Sequence, residues 1–145
     1  MENLSFPPFD YRLKRQGDTP FIYDVIRRRF VTLTPEEWVR QHLVHYLIRH
    51  KACPSGLIAL EKEIDLYGRP QRFDVVVYSR QGNPWLLVEC KAPSVPLTSR
   101  VFDQAFRYNL ALAAPYVAVT NGIRHHCLRL DAGAAPVFLD DFPQF

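Results

Sequence analysis

Cysteine is scarce in this chain of 145 residues, which carries only Cys53, Cys90 and Cys127. The number is odd and no CxxC pair occurs, which argues against a disulfide framework and a structural zinc site. Free thiols in a reducing compartment are the simpler reading. No apolar run reaches the roughly 18 residues that span a bilayer. The N-terminus is acidic, aromatic and proline-containing, unlike a signal peptide. A cytoplasmic protein without membrane attachment is therefore expected. A GxxxxGK[ST] phosphate loop is missing, so ATP-driven translocation is not expected of this chain. Internal repeats, low-complexity tracts and linkers are missing too. Charge is not extreme in either direction. The 18 Lys and Arg against 15 Asp and Glu leave a net +3, which permits a polyanionic partner without requiring one.

What is present suits one packed α/β domain over residues 1–145, with residues 1–32 as an N-terminal extension. Twelve prolines suggest sharply ended elements and extended loops. Residues 1–20 show no clear periodicity. "FIYDVIRRRFV" suggests a short strand or pair, its arginines reading as solvated charge or, alternatively, as phosphate contacts. The first helix is expected at "TPEEWVRQHLVHYLIRH". Thr34 is a good N-cap, Pro35 suits the first helical position, and Val39, Leu43, Tyr46 and Leu47 form the apolar stripe. Three strands follow, at "GLIALEKEIDLYG", "RFDVVVYSR" and "WLLVECKAP", with "QGNP" as a turn, and short links favour an antiparallel meander. A second helix, "TSRVFDQAFRYNLALAA", starts at Thr98 or Ser99 and closes before Pro115. "YVAVT" and "IRHHCLRL" are two more strands around an Asn121-Gly122 turn. The acidic, aromatic tail can add an edge segment.

The charged end of "PWLLVECKAP" is the unusual feature, because ionised groups are seldom buried unless paired or bound. In a meander, Asp74 early in the second strand lies beside the end of the third. Glu89 and Lys91, two residues apart, share one face there. Two carboxylates suit a hard cation such as Mg²⁺, and a lysine can orient water or offset developing charge. Taken alone, this pattern is short and occurs often by chance, and a surface ion pair at a strand end, with Asp74 unrelated, is the simpler explanation. Gln104 and Tyr108 lie four apart on one face of the second helix. Cys90 reads as a small apolar filler facing away from Glu89. His42, His45, His125 and His126 make no persuasive metal set.

Together, Asp74, Glu89-Cys90-Lys91 and Gln104 to Tyr108 resemble the PD-(D/E)xK nuclease superfamily. "RFDVVVY", "LLVECKAP", "VFDQAFRYN" and "VTNG" are similar to the N-terminal nuclease domain of type I restriction enzyme R subunits, over about residues 33–125. The resemblance implies a restriction-endonuclease-like α/β core, with a mixed central sheet flanked by helices. It implies Mg²⁺-dependent endonucleolytic hydrolysis of DNA, with Mn²⁺ able to substitute and 5′-phosphate and 3′-hydroxyl ends. Asp74 and Glu89 match the metal-binding carboxylates, Lys91 the catalytic lysine, and Gln104 and Tyr108 the motif that supports cleavage and DNA engagement. Phe73 stands where the nominal proline would be. An acidic residue on the first helix often completes the metal site in this superfamily. Glu37 is the candidate, although it also suits a capping box with Thr34. Glu63 is a further accessory candidate, or a solvated strand residue. Arg100 and Arg107 are DNA-contact candidates, or solvated helix charges. DNA and other restriction, defence or repair subunits are the expected partners. A non-catalytic DNA- or protein-binding module on the same fold is the alternative.

Overall fold

The computed structural model describes residues 1–145. Three strands open the chain, β1 (Leu13–Gln16), β2 (Thr19–Asp24) and β3 (Arg29–Thr32), and form one antiparallel sheet. Helix α1 (Pro35–His50) follows. A second sheet then contains β4 (Ile58–Leu66), β5 (Arg69–Tyr78), β6 (Pro84–Cys90), β7 (Tyr116–Thr120), β8 (His125–Arg129) and β9 (Val137–Leu139), in that spatial order. Helix α2 (Ser99–Leu112) joins β6 to β7. That is the only parallel pair in the sheet, and a parallel pair needs a crossover of this length. The expected meander, helix and further strands are therefore present. The tail supplies the edge strand β9.

β6 is apolar on both faces because a helix covers each of them. Leu86, Val88 and Cys90 pack with Val39, Leu43, Val44 and Leu47 of α1. Leu87 packs with Val76 of β5 and Leu112 of α2. Val101 and Ala105 of α2 cover Val117 and Val119 of β7. α1 begins as its sequence suggests: Thr34 Oγ1 accepts the Glu37 N–H at 3.0 Å. Thr98 occupies the N-cap of α2 without a side-chain bond.

β1 escaped the sequence because all four of its residues are exposed, leaving no alternation to read. The N-terminal segment is nonetheless tied down. Phe6 enters the main core, and Phe9 packs with Ile22 and Trp38. The Ser5 N–H donates to the Gly122 carbonyl at 2.7 Å. Asn121-Gly122 is thus more than a turn. Gly122 has φ +85, and a Cβ there would lie 2.9 Å from Leu4 Cδ2. No helix is long and apolar enough to cross a membrane.

Candidate active site

The sheet opens where the sequence places its carboxylates. The β5–β6 ladder sets Val75 opposite Val88 and ends there. One further step would pair Asp74 with Glu89. Instead, Asp74 Oδ2 accepts the Cys90 N–H at 2.9 Å. β6 continues alongside β7 through Glu89 and Cys90. β4 is irregular at the same level: its register passes from Leu60–Val75 to Lys62–Phe73, and Glu61 between them has φ +48. Asp74 therefore satisfies backbone of the neighbouring strand with one oxygen, while its other oxygen, Oδ1, faces Arg40 at 3.3 Å.

Glu89 is buried, and its Oε1 has no hydrogen-bond partner. Burial, then the charge of Asp74 and a hydrogen bond shared with it, push the Glu89 carboxyl up to about 9, against the pull of Lys91. An unpartnered buried carboxylate oxygen is costly, and such atoms concentrate where a protein binds or reacts. Glu36, half-buried on the first turn of α1, is also raised, by burial and by the charge of Asp74, while Arg40 and Lys91 oppose the shift. Glu36, Asp74, Glu89 and Lys91 thus share one electrostatic neighbourhood. The Lys91 N–H donates to the Thr120 carbonyl at 2.8 Å, which fixes its backbone beside β7.

Beside this group lies a second set of charges. Arg27 pairs with Asp24, reaches Glu37 Oε1 at 2.7 Å and Glu61 Oε2 at 3.1 Å. Arg40 reaches Glu37 at 2.8 Å, Glu36 at 3.3 Å and Asp74 Oδ1 at 3.3 Å. Gln41 Nε2 donates to Glu37 Oε2 at 3.2 Å. Glu37 is turned into these partners, so its side chain does not reach back to close a capping box.

The other candidates fall as follows. Gln104 Nε2 donates to Tyr108 Oη at 3.0 Å. Tyr108 sits edge-on to Phe73 at 5.4 Å, which links the pair to the residue before Asp74. Arg100 and Arg107 are exposed on α2. Glu63 is exposed and lies 3.9 Å from Arg72, away from the charged cluster. Cys90 is fully buried in the α1-facing core. Among the histidines, His42 donates to the Trp38 carbonyl at 2.8 Å and His45 stacks on Phe9. His125 meets Thr120 Oγ1 at 2.7 Å. No three His, Cys, Asp or Glu side chains converge as a ready-made metal cage. Glu36, Glu61, Arg27 and Arg40 were not singled out from the sequence. Arg40 had a signal, lying three and four residues after two glutamates on one helix. The others depend on tertiary contacts.

A recess of about 720 Å³ adjoins the site. Glu36, Glu37, Arg40, Glu61 and Ala92 line one side, and Phe21, Arg29 and Phe30 of the N-terminal sheet line the other.

These elements make an α/β domain with a restriction-endonuclease-like core, open at an acidic strand end. The chain belongs to the type I restriction enzyme R protein N terminus (HSDR_N) family, whose model matches residues 35–143. The match thus starts with α1 and leaves out the N-terminal sheet. No curated protein matches the chain. Among solved structures, it is similar to a fragment assigned to the HsdR subunit of a type I restriction enzyme from Vibrio vulnificus YJ016. The TM-score is 0.58 and the identity 20%, and 77% of this chain is covered. The chain spans 24% of the length of that relative, and the likeness is one of fold.

Proposed function

We propose that this domain is a Mg²⁺-dependent endonuclease that hydrolyses DNA phosphodiesters in restriction or defence. The observation that carries this reading is the buried, unpartnered Glu89 Oε1 beside Asp74. That donor set fits a hard divalent cation, which prefers carboxylate oxygens. Asp74 and Glu89 would hold Mg²⁺, with Mn²⁺ able to take its place, and Glu36 is the acid on α1 nearest in charge to them. When bound, the ion supplies a Lewis acid for the phosphoryl oxygen and activates water. Lys91 orients the attacking water and offsets charge that develops at the phosphate. Gln104 and Tyr108 support the DNA from α2. Family membership adds DNA and further restriction subunits as the partners to be sought, and any motor lies on other parts of such an assembly.

A second reading is favoured by one contact. Arg40 lies 3.3 Å from Asp74 Oδ1, which suits a non-catalytic DNA- or protein-binding module whose carboxylates are neutralised internally.

Incubation with plasmid, single-stranded DNA and RNA, with Mg²⁺ or Mn²⁺, separates the two. The expected result is metal-dependent DNA cutting, leaving 5′-phosphate ends, that falls by about 100-fold or more in Lys91→Ala and Asp74→Ala. DNA binding that needs no metal and yields no cut product in any of these conditions would establish the module instead.

A further inference from the structure

The N-terminal sheet has two unlike faces. Its inner face, Leu13, Ile22 and Val31 in register, turns Ile22 and Val31 to Phe9 and Trp38. Its outer face alternates with these residues and carries two rows. In one, Lys14 pairs with Phe21, and Phe21 with Thr32. In the other, the Tyr23 N–H donates to the Arg12 carbonyl at 2.9 Å, and Tyr23 pairs with Phe30. The cations already sit on the rings: the Arg12 guanidinium is 4.0 Å from the Tyr23 centroid and Lys14 Nζ is 4.4 Å from that of Phe30. The charge is equally local. Residues 11–33 hold six Lys and Arg against two Asp, while the rest of the chain holds twelve against thirteen. All of the protein's net positive charge therefore lies in this segment.

We propose that this outer face is a stacking platform for single-stranded DNA. Rings on a basic sheet face offer stacking to any base, and neighbouring cations take the phosphates. Phe21, Tyr23 and Phe30 are half-buried, and exposed Arg12 lies over Tyr23, so the guanidinium and the ring edges together meet a base. Duplex DNA, with its bases already stacked on one another, gains little from such rings. A polyanion also complements the charge better than a neutral protein surface would. Phe21 and Phe30 line the recess that runs to Glu36 and Arg40, so a strand held on the platform is aimed at the strand end bearing Asp74 and Glu89. That route rests on the nuclease reading, whereas the binding does not.

The test is fluorescence anisotropy of a labelled oligothymidylate, an oligouridylate and a DNA duplex of equal length, in EDTA and at several salt concentrations. The single strand is expected to bind more tightly than the duplex. Tyr23→Leu and Phe30→Leu, which keep the bulk but remove the ring, should each weaken single-strand binding by about 5- to 100-fold, while Tyr23→Phe binds like the wild type. Arg12→Gln, at an exposed position, should lower the salt slope by about 0.7 and gives a readout even if a leucine variant fails to fold. Equal binding of duplex, binding of RNA alone, no binding, or folded leucine variants that bind like the wild type would each overturn the platform. Plasmid cutting with Mg²⁺ is followed on the same preparations. Binding without cutting removes the nuclease reading and leaves the platform standing, and cutting without single-strand binding does the reverse.

Discussion

Two groups of carboxylates meet at the first turn of α1, and they are neutralised differently. Asp24 and Glu37 are buried, and both are engaged by Arg27, with Arg40 and Gln41 completing the shell of Glu37. Glu36, Asp74 and Glu89 lie one step further along the cleft, with Glu89 Oε1 unpartnered and Lys91 in their field. Burying a charge is costly unless it is paired and hydrogen-bonded. The carboxylates of the first group meet that condition with protein groups alone, although Arg40 Nε and Gln41 Oε1 in their shell have no partner, and the group reads as architecture that anchors the β2–β3 turn to α1 and β4. The second leaves the condition open at Glu89, which is what a site awaiting a ligand requires. Arg40 touches both groups and ties one to the other.

The largest expected effect tests the architectural group. Arg27→Met removes the cation from fully buried Asp24 and from Glu37. Breaking one side of a buried ion network costs about 3–5 kcal/mol, so the urea midpoint should fall steeply, with Arg27→Lys intermediate. A loss under about 1 kcal/mol would mean that these charges are solvated and the contrast between the two groups is false.

A smaller effect of opposite sign tests the other group. Glu89→Gln keeps the shape, and its amide can donate to Asp74. The Glu89 carboxyl, held up to about 9, must take up a proton on folding at neutral pH, so a neutral amide should raise stability there by about 1–3 kcal/mol and flatten its fall between the ordinary carboxyl range and about pH 9, while metal-dependent cutting falls by about 100-fold. Stability sacrificed at a reactive site is a common trade. Destabilisation by Glu89→Gln would return Glu89 to the architectural group.

How much of this was legible in the sequence follows from which forces are local. The cap at Thr34, the stripe of α1 and the continuous apolar run of β6 are written in adjacent residues, and the structure has them. The nearness of Asp74 to Glu89 follows from the antiparallel order of β5 and β6, although the ladder itself ends one step short of them and Asp74 turns to the Cys90 N–H. β1 left no trace because none of its residues is buried. The roles of Arg27 and Glu61 could not be read, since their contact spans 34 positions and depends on the irregular backbone at Glu61. Glu37 was the metal-site candidate by the family resemblance, with a capping box at Thr34 as the competing reading. Three-dimensional packing, not spacing, turned its side chain to the arginines.

The finest test of the contrast lies in two consecutive residues. Glu37 is 5% exposed and accepts three hydrogen bonds from Arg27, Arg40 and Gln41, whereas the Glu36 side chain is 42% exposed and paired only with Arg40. Exposed ion pairs contribute little, so Glu36→Gln should change stability by less than about 0.5 kcal/mol. Its charge nevertheless acts on the same field as Asp74 and Lys91, so Mn²⁺ affinity by calorimetry should fall by about tenfold. Glu37→Gln should show the converse emphasis, losing about 1–3 kcal/mol as Arg27 and buried Arg40 each lose one of their anions, with a smaller change in Mn²⁺ affinity. If the metal affinity follows Glu37 and not Glu36, then the acid that α1 contributes to the metal site is the one the family resemblance suggested, and the arginines must give way when the ion binds.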